Sequence, residues 1–265
     1  MDNETNKQYW NKNAEAWVKL SRAGYDTYRN YLNTPAFLAM LPDISGLSGL
    51  DIGCGEGYNT RLLAERAGRI SALDLSRVFA GSAATFPGQG AKCIDYLVAN
   101  AEQIPFAEGS FDFATGFMSF MDIPNSGKVI TETYRILKPG GFLQFSISHP
   151  CFDTPHHKNL RDENGRTYAF ELGDYFRPVD GEVSEWLFSA APAEARAGLE
   201  NFKTPRFTRT LGYWLNSLIQ AGFVIEQVEE PCPDDETIRQ HPNLQDAQVM
   251  AYFLIIRARK ALKAV

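Results

Sequence analysis

The stretch LDIGCGEGYN, residues 50–59, decides the fold of this chain. Three glycines at alternate positions (Gly53, Gly55 and Gly57) follow Asp51, which lies at the end of an apolar run. Glycines let the backbone turn tightly and come close to a flat ligand. A helix that begins behind them offers free amide groups to an anion such as a carboxylate. The pattern therefore predicts a strand, a tight turn and a helix at a nucleotide-like ligand.

Two better-known glycine motifs do not fit this stretch. A nicotinamide-dinucleotide fingerprint, G-x-G-x-x-G, needs a third glycine where the chain has Tyr58. No Gly-Lys-Ser/Thr follows, so the stretch is not a P-loop. Asp74 ends the next predicted strand, about 20 residues on, where a carboxylate accepts hydrogen bonds from both hydroxyls of a ribose. We therefore expect a nucleoside with an amino-acid tail rather than a dinucleotide.

Strand-like and helix-like segments alternate from about residue 48 onward, which favours βαβ units and a parallel sheet. Strands are predicted at 45–53, 69–76, 94–100, 111–119, 141–149, 224–230 and 249–258. Helices are predicted at 60–68, from 128 to the KPGG turn at 138–141, and at 208–221. In the last helix Leu211, Leu215, Leu218 and Ile219 form one apolar face, which Gly222 closes.

The segments outside this alternation are predicted to cover the sheet. Residues 1–44 contain Trp10, Ala14 and Trp17 at helical spacing, which indicates an amphipathic helix. Residues 150–207 are irregular and rich in aromatics, Gly and Pro. Long connections of this kind are often lids or substrate walls. We expect one domain over 1–265, with a helical cap (1–44), a cofactor-binding half (45–149), a lid-like insertion (150–207) and a C-terminal completion of the sheet (208–260).

The composition argues against several classes of protein. The 265 residues carry a net charge of −6, whereas a general nucleic-acid binder normally needs a basic face. The four cysteines are scattered, without a CxxC pair, which is typical of a reduced, cytoplasmic protein. The polar N-terminus predicts no signal peptide. No run approaches the roughly 18 consecutive apolar residues of a membrane span.

Four motifs in register carry a resemblance to a known family. LDIGCGEGYNTRLLA, SALDLS, NAEQIPFAEGSFD and YRILKPGGFL resemble the motifs of class I S-adenosylmethionine-dependent methyltransferases. The branch that looks nearest contains quinone-biosynthesis and natural-product enzymes. The resemblance is strong over 48–148 and weaker towards the C-terminus. It implies a Rossmann-like, doubly wound α/β fold with a seven-stranded, mostly parallel sheet whose last strand is antiparallel.

The resemblance also implies the residues that bind S-adenosylmethionine. Asp51 would lie near the methionine amino group, Asp74 would hold the ribose hydroxyls, and the backbone amide of Ala101 would meet the adenine ring. Position 100 departs from the family, which usually has Asp; the Asn100 carbonyl can still accept from the adenine amino group. The full expected set is Asp51, Gly53, Cys54, Gly55, Gly57, Asp74, Leu75, Asn100, Ala101, Glu102, Phe117 and Met118.

Two residues are candidates for acid–base work on the acceptor. His149 follows the fifth strand, at the edge where ligands of open α/β sheets bind, and Pro150 biases it towards an extended backbone. Asp122, just after the fourth strand, is the alternative. A histidine that only hydrogen-bonds to backbone at a strand end is the competing interpretation of His149. His149, Cys151, Asp153, His156 and His157 match no familiar ligand spacing, so no metal is expected.

The predicted function is methyl transfer from S-adenosylmethionine, with S-adenosylhomocysteine as product, to a small organic acceptor. Trp10, Trp17, Tyr25 and Tyr28 are predicted to wall the acceptor pocket, although core packing also explains each of them. Alternatives are an RNA or protein methyltransferase, or a non-catalytic protein that binds the cofactor; no nucleic-acid partner or membrane is expected. The sequence leaves open the acceptor, the choice of oxygen, nitrogen or carbon as the methylated atom, and the oligomeric state.

Overall fold

The computed structural model describes residues 1–86 and 94–262. The strands are β1 (Ser48–Ile52), β2 (Arg69–Asp74), β3 (Ile94–Val98), β4 (Phe111–Phe117), β5 (Leu137–Ser148), β6 (His156–Arg161), β7 (Thr167–Gly173), β8 (Asp180–Trp186), β9 (Phe202–Phe207), β10 (Phe223–Glu229) and β11 (Phe253–Lys260). The helices are α1 (Asn3–Arg22), α2 (Thr34–Met40), α3 (Tyr58–Arg66), α4 (Arg77–Ala84), α5 (Ser126–Ile136), α6 (Ala193–Arg196), α7 (Leu211–Ala221) and α8 (Asp235–Gln240). Shorter turns are a π-helix at Arg29–Asn33 and 3₁₀-helices at Phe120–Asp122 and Pro242–Gln248.

Seven strands form one sheet in the order β10-β11-β5-β4-β1-β2-β3. The strands β1 to β5 pair in parallel, whereas β11 is antiparallel to both β5 and β10. The strand order reverses at β1, so the carboxyl ends of β1, β2 and β4 meet at one edge of the sheet. The predicted Rossmann-like fold with an antiparallel last strand is confirmed. Ligands of such sheets bind at this edge.

The KPGG segment is not the predicted turn between helix and strand. Helix α5 ends at Ile136 and β5 begins at Leu137, so KPGG lies inside the strand. The pairing of β4 with β5 shifts register between Phe111 and Phe113, as in a β-bulge. Gly140 has φ +79°, and a Cβ on Gly141 would lie 2.7 Å from the Asp112 carbonyl oxygen. The glycines therefore allow a close backbone approach within the ladder.

Residues 150–207 form two antiparallel hairpins, β6–β7 and β8–β9, rather than an irregular loop. Most side chains of β6 and β8 are exposed or half-buried, so these strands lack the apolar alternation that predicts a strand from sequence. The second hairpin is fastened to α1. The Asn13 amide donates to the Lys203 carbonyl and accepts from the Lys203 N–H, both at 2.9 Å.

Helix α7 buries the predicted face except at one position, since Leu211 and Leu215 pack against the core. Leu218 is fully buried, but Ile219 is 59% exposed and Trp214 is buried in its place. Trp214 lies one turn before Leu218 and packs against Phe145 of β5. Gly222 closes the helix in the left-handed conformation, as predicted. None of the helices within residues 1–86 and 94–262 is both long and apolar enough to cross a membrane.

Candidate active site

A cavity of about 1430 Å³ lies at the carboxyl edge of the parallel strands and extends beneath α1 and both hairpins. Most residues predicted for the cofactor or the acceptor line it. They are Trp10, Trp17, Tyr25, Tyr28, Asp51, Gly53, Cys54, Gly55, Asp74, Leu75, Asn100, Ala101, Phe117, Met118 and Asp122. The structure does not place Gly57, Glu102 or His149 on the cavity wall.

The glycine loop joins β1 to α3 in a left-handed backbone conformation that residues with a side chain seldom adopt. Gly53, Gly55 and Gly57 have φ values of +73°, +54° and +80°. A Cβ at Gly53 would lie 2.4 Å from Ser119 Cβ, and one at Gly57 would lie 2.6 Å from the Tyr96 hydroxyl. Gly57 therefore lies behind the loop, at the N-cap of α3, and does not line the cavity. The alternate spacing follows from these three left-handed positions.

Two carboxylates, Asp51 buried and Asp74 half-buried, face the cavity at adjacent strand ends. Asp51 accepts hydrogen bonds from the hydroxyls of Thr60 (2.6 Å) and Thr115 (3.0 Å). Asp74 accepts from the backbone N–H groups of Gly55 and Ser76, both at 2.8 Å. Burial raises the pKa of each to about 6. Within the described residues neither has a cationic partner, so both suit a ligand that brings an ammonium group and hydroxyl donors.

The turn after β3 is held by its own side chains. Asn100 Oδ1 accepts from the Glu102 N–H at 2.8 Å, which closes the turn and uses one lone pair of the amide oxygen. Glu102 is buried behind the turn, and its carboxylate accepts from the Asn125 N–H at 3.3 Å. The prediction that Glu102 contacts the cofactor is therefore not supported by the geometry, because the side chain supports the turn instead. Ala101 and Asn100 remain on the cavity wall.

Met118, just beyond β4, has a strained backbone with φ +52°. Non-glycine residues seldom adopt this conformation, and it clusters at functional sites. The Met118 N–H is held by the carbonyl of Ser146 at 3.0 Å and by its hydroxyl at 3.2 Å. The Ser146 hydroxyl in turn donates to Asn33 Oδ1 at 3.1 Å. Asn33, which the sequence did not single out, thereby becomes part of the cavity wall beside Met118 and Phe117.

Glu56, in the middle of the glycine loop, is a further residue that sequence reasoning missed. Its carboxylate is 3% exposed and pairs with Arg22 (3.3 Å), Arg29 (3.3 Å) and Arg61 (3.0 Å). The Arg29 guanidinium also lies 4.1 Å from the centre of the Tyr58 ring. These contacts tie α1 and the π-helix to the loop. Glu56 is 34 residues from Arg22 in the chain, so no local pattern reveals the pairing.

The geometry argues against His149 as the predicted base, because both ring nitrogens are engaged outside the cavity lining. The Cys151 N–H donates to Nδ1 at 3.2 Å, so the ring proton lies on Nε2, which faces the Glu230 carboxylate at 2.7 Å. The imidazole is 4% exposed. This arrangement leaves no free lone pair for an acceptor proton, and His149 joins the end of β5 to the segment after β10.

Asp122, the alternative candidate, lies on the cavity wall in the 3₁₀ turn after β4. Its carboxylate has no hydrogen bond or ion pair to any part of the chain that the structure describes. Burial, with a smaller contribution from the Asp153 carboxylate, holds the pKa of Asp122 well above its usual range. A carboxylate without a partner, facing a cavity, is free to accept a proton or a hydrogen bond from a ligand.

The predicted aromatic wall has two parts. Trp17 contacts Trp10 at 5.8 Å between ring centres and also packs against Trp186, Phe188 and Phe202 of the second hairpin. The Tyr28 ring lies tilted against Tyr252, with 5.0 Å between ring centres, and its hydroxyl donates to the Asn243 carbonyl at 3.0 Å. Burial raises the pKa of Tyr28, which keeps its phenol protonated.

The histidine-rich segment after β5 does not converge on one point. His156 pairs with Glu171 at 2.7 Å, and His157 Nδ1 lies 3.1 Å from the Phe152 carbonyl oxygen. Over residues 1–86 and 94–262, no group of three or more His, Cys, Asp or Glu side chains is placed to hold a metal ion.

Comparison with known proteins places this geometry in a family. A family model described as a methyltransferase domain matches residues 50–145. A solved S-adenosylmethionine-dependent methyltransferase from Mesorhizobium loti is 30% identical, with 85% of this chain and 96% of that chain aligned and a TM-score of 0.68. This chain belongs to the S-adenosylmethionine-dependent methyltransferases. The Asp51–Asp74 pair and the left-handed glycine loop fit that cofactor, because they offer acceptors to its ammonium and ribose hydroxyls.

Other relatives of the methyltransferase differ in how much of the chain they match. An uncharacterized protein of Haemophilus influenzae is 29% identical over 94% of each chain. The demethylmenaquinone methyltransferase of Lactococcus lactis is 34% identical, but the match covers 50% of this chain and 57% of that protein. The match therefore covers little more than half the length of this relative, whose name states its reaction.

Proposed function

We propose that the enzyme transfers a methyl group from S-adenosylmethionine to a small organic acceptor held between the cofactor and the cover formed by α1 and the hairpins. The observation that carries this proposal is the extent of the cavity. Ligand pockets typically measure about 300–1,000 Å³, whereas this cavity of about 1430 Å³ continues past the strand ends to Asp122 and the aromatic wall. It has room for a second small molecule beside the cofactor.

The chain's own residues hold the cofactor in this proposal. Asp51 accepts from the methionine ammonium group, Asp74 from the ribose hydroxyls, and the backbone from Gly53 to Gly55 follows the ligand. Leu75 and Ala101 flank the adenine, and Phe117 and Met118 border the reactive end. S-adenosylmethionine supplies a methyl group that is already activated on a sulfonium.

The acceptor end positions the nucleophile and accepts the proton that the nucleophile loses. Holding reacting atoms in near-attack geometry can contribute about 7–11 kcal/mol to lowering a barrier. Asp122 accepts a hydrogen bond or a proton from the acceptor, and general-base catalysis adds about 10²–10⁴-fold when a proton must leave. Trp10, Trp17 and Tyr28 exclude water from this end. In this arrangement residues 150–207 act as a lid and residues 1–44 as a cap of one domain.

Three observations support a small acceptor. The net charge of −6 does not suit an RNA substrate. Residues of α1 and of both hairpins line the acceptor end, and the Lactococcus lactis relative is named for a quinone-type acceptor. The free thiols of Cys54, Cys151 and Cys232 support a cytoplasmic location, while Cys93 lies outside the described residues.

Calorimetric titration with S-adenosylmethionine, S-adenosylhomocysteine and NADH tests the proposal, followed by a screen of small acceptors with a labelled methyl group. We expect micromolar binding of both adenosyl ligands, no binding of NADH, and label transfer to at least one small molecule. Transfer only to RNA or protein, or binding without any transfer, would overturn the proposed acceptor class.

A further inference from the structure

The first turn of α1 and the turn after β4 form a corner of the cavity that is rich in hydrogen-bond acceptors. Asn3 and Asn6 lie one helical turn apart on the same face of α1, and both line the cavity with Asp122. Asn6 Nδ2 donates to the Asp122 backbone carbonyl at 2.9 Å. This bond fixes the orientation of the Asn6 amide, because a carbonyl oxygen requires the N–H side.

Three acceptors in this corner lack donors. The Asn6 side chain is 2% exposed, and its Oδ1 has no hydrogen-bond partner within the described residues. Asn3 Oδ1 is buried and without a partner in the same way. The Asp122 carboxyl group is the third, since no donor among the described residues reaches it. Unsatisfied buried acceptors are uncommon in folded proteins, and each usually has a reason.

The charges around the corner favour a cation. Asp153 lies close enough to raise the pKa of Asp122, but its own carboxylate is paired with Arg206. The nearby Arg209 donates to the Pro124 carbonyl at 2.8 Å and lies 3.9 Å from Asp180, so it is turned to other groups. Arg206 and Arg209 are therefore both engaged by other groups, and no described cationic side chain pairs with Asp122. A cation bound beside Asp122 favours its ionised form. A ligand with several N–H donors and a positive charge supplies what the corner lacks.

We propose that the corner formed by Asn3, Asn6 and Asp122 binds a protonated amino group of the methyl acceptor. The substrate class is therefore a small amine with an apolar or aromatic body, which the wall around Trp10 and Trp17 covers. Asp122 meets the ammonium directly, and the side-chain oxygens of Asn3 and Asn6 accept its other hydrogens. This inference rests on the proposed function, since it assigns a ligand group to the acceptor end.

The test uses the full chain saturated with S-adenosylhomocysteine and two probes of matched shape, 2-phenylethylamine and 2-phenylethanol. Each is titrated by calorimetry at neutral pH. We expect the amine to bind at least about tenfold more tightly than the alcohol, because hydrogen bonds to charged groups are the stronger ones. Equal binding of the two probes would overturn the inference.

Two variants locate the effect. Asp122→Asn keeps the shape of the side chain and removes its charge, and Asn6→Leu removes an acceptor. Each is expected to weaken amine binding about tenfold while the dissociation constant of S-adenosylhomocysteine stays within about twofold. Asn216→Leu, on the exposed face of α7 and outside the cavity lining, serves as the control and leaves both constants unchanged.

The outcomes separate the two proposals. Failure of wild-type protein to bind S-adenosylhomocysteine contradicts the proposed function itself. Normal cofactor binding with no preference for the amine contradicts only the acceptor class. A loss of S-adenosylhomocysteine affinity in Asn6→Leu and Asp122→Asn would mean that the corner serves the adenine amino group instead, which also overturns the inference.

Discussion

The cofactor end and the acceptor end of the cavity are built from opposite kinds of contact. At the cofactor end, Asp51, Gly53 and Asp74 lie on or just after neighbouring strands, within a short stretch of chain. At the acceptor end, Asn6 reaches Asp122 across 116 residues, and Asn13 reaches Lys203 across 190. Local backbone geometry demands particular residues at particular spacings, whereas long-range contacts leave no such pattern. The two ends should therefore also respond differently to substitution.

The largest expected effect is at the cofactor end. Asp74→Ala removes the proposed acceptor for two ribose hydroxyls and the anchor of the Gly55 and Ser76 N–H groups. Hydrogen bonds to charged groups contribute about 1.5–3 kcal/mol each, so the dissociation constant of S-adenosylhomocysteine should rise at least about 100-fold. Calorimetry measures it. Asp95→Ala, which changes an exposed carboxylate on β3, is the control. An unchanged constant in Asp74→Ala would remove Asp74 from the site.

A substitution at the acceptor end should lower kcat without changing the affinity for the cofactor. Asp122→Asn should lower kcat by about 100-fold, at the lower end of general-base effects, because an amide cannot take the proton. The dissociation constant of S-adenosylhomocysteine should stay within about twofold. The rate is measured with an acceptor from the labelled-methyl screen. Glu163→Gln, on the turn between β6 and β7, should leave kcat unchanged. A normal kcat in Asp122→Asn would show that Asp122 does not act as a base and that this end of the cavity only positions the acceptor.

Cofactor binding should depend on pH through Asp51 and Asp74. The pKa of Asp51 and of Asp74 is raised to about 6 from an ordinary value of 3.8. Both groups therefore hold protons more tightly in the folded protein, and this contribution to its stability is present below about pH 4 and lost as the pH rises through about 6. In the proposed binding mode the cofactor needs the charged forms, so its affinity should change in the opposite direction.

We expect S-adenosylhomocysteine to bind at least about tenfold more weakly at pH 5 than at pH 7.5, because each carboxylate is then mostly protonated. Thermal denaturation should show the stabilisation by S-adenosylhomocysteine shrinking over the same range. The Asp51→Asn variant should retain only part of the dependence. Constant affinity between pH 7.5 and pH 5 would contradict the assignment of both carboxylates.

The cover should open more readily than the sheet. Asn13→Ala removes both hydrogen bonds between α1 and β9, at a cost of about 1–3 kcal/mol. Amide hydrogen exchange around residues 202–204 should then become about tenfold faster or more. The β6–β7 hairpin, which Asn13 does not touch, is an internal control within the same experiment. Equal acceleration in both hairpins would indicate global destabilisation instead of local opening.

The sequence predicted most of the sheet because apolar strands and glycine turns are local features. It placed all seven strands, with β1 and β2 ending where the motif residues require. The sequence placed KPGG in a turn before β5. Glycines in a bulge inside a strand look the same in sequence as glycines in a turn before that strand. The sequence also missed Glu56, Asn33 and the hairpins of residues 150–207, whose partners lie far along the chain. Spacing alone carries no information on such contacts.

His149 shows the same limit in a single residue, and it gives the smallest expected effect on activity. Its position after β5 suggested a base, but its orientation depends on Glu230, 81 residues away. His149→Ala should keep kcat within about twofold, because neither ring nitrogen faces the acceptor end. It should lower the free energy of unfolding by about 1–3 kcal/mol, since Glu230 and the Cys151 N–H lose their partner. A 100-fold loss of kcat with normal stability would restore His149 to the chemistry and leave Asp122 the orienting group.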